Sequence, residues 1–278
     1  MFKRFNPFYS VYIFADIFNF DFHYIISIEK YPLTRLGSTN ATEMAKVLEN
    51  SYRAMNIAFI VEWSRFAELA GVNLYEVVNA IRMRPTHSNM MFPGIGVGGY
   101  CLTKDPLLAS WSKQNLFNTT SPLIQSETSV QINDQMPLFA FNYLKESFKE
   151  SLSGKRILLL GVSYRNNVAD TRYTPVEPFY DYLISEGAKV SLHDPYVDQW
   201  EEKSTTISSD LKHMIEGQTD VLIFCTNHSE YMNNDYLINA LMQKNHLFIF
   251  DTIGVLNENE INLLKQKHIV KVVGRGDL

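Results

Sequence analysis

The rhythm of apolar and polar positions changes twice along the chain. Residues 1–35 are rich in Phe, Tyr and Ile but follow neither a helical nor a strand period, so they form an unassigned N-terminal segment. From Asn40 onward the apolar positions fall at helical spacing: Met44, Val47 and Leu48, then Met55, Ile57, Ala58 and Phe59. Asn40 offers an N-cap with Glu43 three residues on, no proline interrupts the run, and Gly71 suits a helix C-terminus. The pattern predicts one helix of about eight turns at ~3.6 residues per turn. A second helix is expected over Asn73 to Met83, then a loop, MFPGIGVGGYCLTKDP, and further helices from Leu107 to about Lys149.

After Ser153-Gly154, short apolar runs alternate with amphipathic ones. Lys155–Tyr164, Lys189–Leu192, Val221–Thr226, Leu247–Thr252 and Ile269–Val273 read as strands, with helices such as Val176–Glu186 and Glu258–Lys267 between them. Alternation of this kind implies a parallel sheet covered on both faces. The expected fold class is therefore α/β: an all-helical central domain over 36–150, followed by a Rossmann-like doubly wound parallel-sheet domain over 154–278.

Composition narrows the functional classes. With 278 residues and 46% of them hydrophobic, the chain can fill the cores of two domains. The 25 Lys+Arg against 30 Asp+Glu leave a net charge of −5, with both signs scattered, so no basic footprint for nucleic acid exists. Cys101 and Cys225 cannot build a disulfide framework, and the seven histidines show no ligand spacing, so no metal site is expected. The apolar stretch Phe8 to Ile26 carries Asp16, Asp21 and His23 and lacks a small-residue cleavage site. A cytoplasmic protein with no membrane partner is the expectation.

The loop is the most informative segment. Gly94, Gly96, Gly98 and Gly99 put four glycines in six positions, and a backbone without Cβ atoms can approach a ligand closely. Cys101, Lys104 and Asp105 follow directly, and a cysteine beside a cation is a candidate nucleophile; the plain alternative is a small buried cysteine next to a flexible loop. The glycines are not a dinucleotide fingerprint, because a helical region precedes them and a cysteine follows. On the long helix Lys46 and Asn50 are four apart on one face, with Arg53 close to the same stripe. An ammonium and an amide converging there suit a developing oxyanion, against the alternative of a solvated face.

The segment from Gly161 to Arg172 follows the first strand, where doubly wound sheets bind ligands. Its single glycine does not make a GxGxxG turn. Arg165 and Arg172 suit a diphosphate or sugar hydroxyls, or simply a solvated surface. Asp194 is either a ribose binder or the shaper of a His-Asp-Pro turn; Cys225, inside an apolar strand, reads as core; His87 is the one histidine near Cys101 in sequence and the base of a Cys-His hydrolase reading.

Taken together, TEMAKVLENSYRAMNIAF, PGIGVGGYCLTKDP, GKRILLLGVSYRNNVADTRYTP and VSLHDPYV resemble the UDP-glucose/GDP-mannose dehydrogenase family, the nucleotide-sugar 6-dehydrogenases. The resemblance covers about Leu36 to the C-terminus. It implies oxidation of a UDP-sugar C6 alcohol to the uronic acid with two NAD+ in succession, through a Cys101 thiohemiacetal and thioester, for surface polysaccharide synthesis. On that resemblance Lys46 and Asn50 stabilise the oxyanion, Asp105 assists proton transfer, and the glycines with Lys104, Arg165 and Arg172 meet the substrate. The C-terminal domain would then clamp the nucleotide, and the helix over 41–70 would form a homodimer. At Arg165 the family more often has lysine. The family also begins with an NAD-binding domain, for which residues 1–35 are too few and contain no glycine. The chain is therefore expected to be a central and C-terminal portion, inactive alone; the alternatives are a non-catalytic dimerising remnant or a subunit working beside a separate NAD-binding domain. The sugar stays open: GVGGYC with Asp-Pro looks like the N-acetylhexosamine branch, Lys104-Asp105 like the UDP-glucose branch.

Overall fold

The computed structural model describes residue 34 and residues 36–278, so the expectations for residues 1–33 and 35 lie outside the described residues. The chain opens with α1 (Thr39–Ala70), 32 residues long, and continues through α2 (Leu74–Arg82), a 3-10 turn (Pro85–His87), α3 (Tyr100–Leu116), α4 (Ile124–Asp134) and α5 (Met136–Phe148). Ser38, rather than Asn40, caps α1: its hydroxyl accepts the Ala41 N–H at 3.2 Å. Gly71 closes the helix in the left-handed conformation at φ 70°, as its lack of a Cβ allows.

A parallel sheet follows, built from β1 (Arg156–Leu160), β2 (Lys189–His193), β5 (Val221–Phe224), β6 (Phe248–Asp251) and β7 (Ile269–Val272) in the order β2-β1-β5-β6-β7. Between β2 and β5 lies a small antiparallel hairpin, β3 (Gln199–Trp200) with β4 (Thr205–Thr206), which no sequence pattern announced. The helices α6 (Val176–Ser185), α7 (Leu211–Glu216), α8 (Asp235–Gln243) and α9 (Glu258–Leu264) fill the crossovers. In the inner strands β1, β5 and β6 alternate residues feed opposite cores. Ile157, Leu159, Val221, Ile223, Phe248 and Phe250 pack with Phe179 and Leu183 of α6, while Leu158, Leu160, Leu222, Phe224 and Ile249 pack with α7, α8 and α9. Burial on both faces is why these strands read as unbroken apolar runs.

The first core also takes in Ala140, Phe141 and Leu144 of α5 and Ile95 of the glycine loop. Phe141 meets Phe179 edge-on at 6.4 Å, and Phe148 meets Phe248 at 5.2 Å. Thus α5, helical like its predecessors, packs on α6 and the sheet and meets α1 at one side, where the Arg65 guanidinium lies over the Phe139 ring. The long helix instead packs against α3 and α4 with small residues such as Ala54 and Ala58. The strand order reverses between β1 and β5, so their C-terminal ends open the crevice where such sheets take ligands. Among the described residues no helix is long and apolar enough to cross a membrane.

Candidate active site

The helix that carries the cysteine begins at Tyr100, not after the proline as expected. Pro106 lies inside α3; at this point it removes one helical N–H, the donor to the Leu102 carbonyl, without ending the helix. The Thr103 hydroxyl steadies the first turn by donating to the Gly99 and Tyr100 carbonyls at 3.0 and 3.2 Å. Cys101, exposed, therefore sits at the N-terminal end of a 17-residue helix, where unpaired N–H groups favour negative charge. Gly99 precedes it as N-cap at φ 80°.

One turn on from Cys101, Asp105 is buried and accepts a hydrogen bond from Asn50 Nδ2 at 2.6 Å. Asn50 is itself only 1% exposed and Asp105 8%, so α1 and α3 are joined here by a largely buried amide–carboxylate contact. Lys46 stands one helical turn before Asn50 on the same face of α1, exposed to solvent. Arg53 is half-buried, and its Nε has no hydrogen-bond partner among the described residues. The sequence did not single out Asn133, whose Nδ2 donates to the Ala54 carbonyl at 3.1 Å and ties α4 to α1 just beyond Asn50. Nothing in its spacing marks it; a polar residue at an inward position of α4 is the only trace.

At three of the glycines the missing Cβ makes room for the sheet domain. A Cβ on Gly96 would lie 2.2 Å from Pro175 Cβ, and one on Gly98 would lie 2.4 Å from Tyr164 Cβ and 2.8 Å from the Tyr173 carbonyl. One on Gly99 would reach the Tyr164 ring at 2.9 Å, whereas Gly94 would meet only Ile253 at 3.8 Å. Positions 96, 98 and 99 must therefore lack a Cβ for the fold itself. Their missing side chains let residues 164–175 of the sheet domain close on the loop, sealed by the Gly99 N–H donating to the Arg172 carbonyl at 3.2 Å.

At that joint a cavity of about 450 Å³ is lined by Val97, Tyr100, Thr103, Lys104, Tyr173 and Glu177, among others. Lys104 Nζ lies 4.1 Å above the Tyr100 ring, and the Tyr100 and Tyr173 rings are 5.7 Å apart. Cys101 and Asp105 occupy the adjoining face of the same helix. Arg172 is exposed and turned onto Asp170 through Nε at 2.9 Å and a second contact at 2.7 Å; this guanidinium holds the Asp170 carboxyl below the usual range. Arg165 is exposed at the tip of the turn after β1.

That turn is held by a buried network which the sequence concealed. Gly161, at φ 92°, passes so close to Thr226 that a Cβ would meet it at 2.4 Å. Asp194 Oδ2 accepts the Val162 and Ser163 N–H groups at 2.8 and 3.1 Å and the His228 ring at 3.1 Å, while Oδ1 accepts the Tyr196 N–H at 2.9 Å. His228 Nδ1 accepts the Asn167 N–H at 2.9 Å, so the proton sits on Nε2, facing Asp194. Burial alone would raise the Asp194 carboxyl, but the His228 and amide hydrogen bonds outweigh it and hold it below the ordinary range. Of the two readings for Asp194, turn-shaping is the one realised: the residue is fully buried and both its oxygens are engaged. Ser163 also bonds His228 Nε2, at 3.0 Å, but on the nitrogen that serves Asp194, so the trio is no relay. Cys225 is core, and burial pushes its thiol up. His87 lies exposed in the 3-10 turn with its ring against Thr86 at 2.9 Å.

Two family profiles match the chain: the UDP-glucose/GDP-mannose dehydrogenase family central domain over residues 40–135, and the UDP binding domain of the same family over 158–258. The chain belongs to the UDP-glucose/GDP-mannose dehydrogenase family. The helical part and the sheet part are therefore that family's central and UDP-binding domains. The chain is 32% identical over 245 residues to the UDP-N-acetyl-D-mannosamine dehydrogenase of Methanococcus aeolicus, covering 87% of this chain and 52% of that one. To the enzyme of the same name from Pyrococcus horikoshii it is 33% identical, over 88% of this chain and 54% of that one. The NDP-N-acetyl-D-galactosaminuronic acid dehydrogenase of Methanosarcina mazei superposes with a TM-score of 0.76 at 25% identity, over 89% of this chain and 54% of that one. The chain thus spans about half the length of the curated relatives it matches. NAD is the cofactor expected of this dehydrogenase family, yet its UDP-binding domain here does not fit a dinucleotide. Its β1 turn has a single glycine, and the acid at the end of β2, Asp194, is saturated.

Proposed function

We propose that the chain supplies the substrate half of a nucleotide-sugar 6-dehydrogenase, with Cys101 as its nucleophile. The observation that carries this is the placement of Cys101 on the first turn of α3, one turn before an Asp105 anchored to Asn50 at 2.6 Å. Two NAD+ in succession would take the two hydrides lost as a C6 alcohol becomes a carboxylate. The residues of this chain act around those transfers. Once the alcohol is an aldehyde, the Cys101 sulfur adds to C6, and the carbonyl oxygen gains negative charge and then a proton. The Lys46 ammonium and the Asn50 amide stabilise that oxygen. When the thiohemiacetal has lost its hydride, a thioester remains; water, giving its proton to Asp105, opens it, the C–S bond breaks and the thiol returns.

The relatives' names favour a UDP-linked N-acetylhexosamine, and the uronic acid formed would serve surface polysaccharide synthesis. Lys104, Arg165 and Arg172 supply cations for the diphosphate. Arg172 reaches it by exchanging Asp170 for phosphate oxygens, a bidentate partner of the same geometry. Gly94 stays a close-approach position, while Gly96, Gly98 and Gly99 act by seating the loop. A second copy of the chain is the proposed cover for the exposed α1 face of Met44, Leu48, Tyr52, Phe59, Trp63 and Phe66.

Calorimetry tests this directly. UDP-N-acetylmannosamine should bind and NAD+ should not, and addition of the isolated NAD-binding domain of a relative should yield NADH that is lost in Cys101→Ser. Tight NAD+ binding with NADH production by the chain alone would overturn the division of labour, and NADH production by the Cys101→Ser protein would overturn the nucleophile.

A further inference from the structure

One polar side chain of α1 stands on the face of Lys46 and Asn50 and has no part in the steps proposed above. Arg53 follows Asn50 by three residues and Lys46 by seven, so the three project from one stripe of the helix. At ~1.5 Å of rise per residue, Arg53 stands about 4.5 Å beyond Asn50 along the axis and about 10.5 Å beyond Lys46. Its Nε is shielded from solvent and has no hydrogen-bond partner among the described residues.

A guanidinium in such a place ordinarily finds an acceptor. Glu49 lies four residues before Arg53, the spacing at which acid and base pair on a helix, yet among the described residues no ion pair joins them. By contrast Arg275 is held by Glu258 and Asp277, Arg156 by Asp220, and Arg82 lies over the Phe92 ring. A shielded N–H left without an acceptor costs the free protein stability, and a ligand that supplies the acceptor regains it.

The pose of that ligand comes from the function proposed above, on which this inference rests. With C6 at Cys101, its oxygen meets Lys46 and Asn50, while the cations assigned to the diphosphate, Lys104, Arg165 and Arg172, stand on α3 and on the turn after β1. The hexose ring therefore lies between α1 and the diphosphate. C2 sits across the ring from C5, the carbon that bears C6, so its substituent projects away from Cys101. On its N-terminal side the stripe offers Thr42, whose hydroxyl is already given to the Ser38 carbonyl at 3.3 Å, and the carboxylate Glu43. On its C-terminal side it offers the unpartnered Arg53.

We infer that Arg53 is the specificity-determining residue that reads the 2-acetamido group of an N-acetylhexosamine, donating from Nε to its carbonyl oxygen. A guanidinium has donors only, so a carbonyl oxygen matches it. That oxygen stands three bonds out from C2, whereas the C2 hydroxyl of glucose is one bond out and falls short. UDP-glucose thus leaves the shielded Nε–H unpaired, the situation in which a site built to bond a group rejects the analogue lacking it. The choice of sugar is made on α1 rather than in the glycine loop.

Calorimetry on the full chain with UDP, UDP-glucose and UDP-N-acetylmannosamine tests this. The unaltered chain should bind UDP-N-acetylmannosamine about tenfold or more tightly than UDP-glucose. Arg53→Met keeps the apolar stem and removes the guanidinium; the preference should fall below about threefold through lost UDP-N-acetylmannosamine affinity, with UDP and UDP-glucose within about twofold of before. An equal loss for all three ligands would assign Arg53 to the diphosphate and overturn the inference, as would an unchanged preference. Equal affinity of the unaltered chain for the two sugars overturns it too and leaves the role of Cys101 standing. Failure of all three to bind overturns the proposed function and this inference with it. Should Arg53→Met fail to fold, ¹⁵N NMR of arginine Nε–H groups in the unaltered chain decides. An Arg53 Nε–H signal that shifts with UDP-N-acetylmannosamine and not with UDP-glucose supports the inference, and the same response to both overturns it.

Discussion

Replacing Gly96 by alanine adds a single methyl group, and the structure says where it lands: 2.2 Å from Pro175 Cβ and 3.1 Å from its Cγ. Carbon atoms in contact prefer roughly 3.5–4.0 Å, so the loop and the start of α6 must part by more than an ångström. Pro175 cannot rotate away, since its ring is fixed to the backbone that leads into α6. Overpacking of a closed joint costs about 1–3 kcal/mol, and the rigid neighbour argues for the upper half of that range. Gly98→Ala faces Tyr164 Cβ at 2.4 Å and the Tyr173 carbonyl at 2.8 Å and should behave alike. Gly94→Ala is the control, because its methyl would meet Ile253 at an ordinary 3.8 Å. Urea unfolding of the ligand-free proteins measures all three. The expected result is a lowered midpoint for Gly96→Ala and Gly98→Ala, or a fall of roughly 2 to 10 °C in Tm, with Gly94→Ala within about 0.5 kcal/mol of the unaltered chain. If Gly96→Ala and Gly98→Ala leave ligand-free stability untouched and only weaken UDP-sugar binding, the glycines serve the ligand and the packing argument is refuted.

Further outcomes are as specific. Asn50→Ala strips Asp105 of its 2.6 Å donor in a buried site, and should cost about 1–3 kcal/mol in chemical denaturation. Asp194→Asn removes a carboxylate held below its ordinary range, whose stabilisation is present above the unfolded value of about 4 and is lost as pH falls through the lower folded one; the gap in Tm between the two proteins should narrow as pH drops toward 3. Trp63→Asp places a charge among Phe59 and Phe66, whose rings lie 6.0 and 5.9 Å from Trp63; light scattering should report a dimer for the unaltered chain, as proposed, and a monomer for the variant.

Much of the sheet domain was legible because its strands are buried on both faces. Val221–Phe224 and Phe248–Asp251 are buried at every position, so each reads as an apolar run with no polar alternation. The start of α3 was not legible. The glycines read as a loop through Pro106, and only the Gly99 cap and the packing on α1 reveal a helix there. The partner of α5 was hidden for a different reason: helical spacing tells which face is buried, not what covers it, and Phe141 meets Phe179 across 38 residues. Asn50 and Asp105 were chosen separately, one by helix face and one by the loop, and their contact spans 55 residues. The Asp194, Ser163 and His228 network joins three loops at the ends of three elements, a convergence that local pattern cannot express. The glycine loop shows the limit most plainly. Its composition announced a close approach, and the approaching group is the protein's own Tyr164–Pro175 segment.

The central claim is that Cys101 forms the covalent bond to the sugar, and it can be tested without any nicotinamide cofactor. The chain is mixed with UDP-N-acetylmannosamine 6-aldehyde labelled with ¹³C at C6, and the carbon is followed by NMR. A sulfur-bound tetrahedral carbon should appear with the unaltered chain and vanish with Cys101→Ser, while Cys225→Ser, deep in the sheet, leaves it in place. An aldehyde that remains free or merely hydrated, or an adduct that survives Cys101→Ser, would contradict the account.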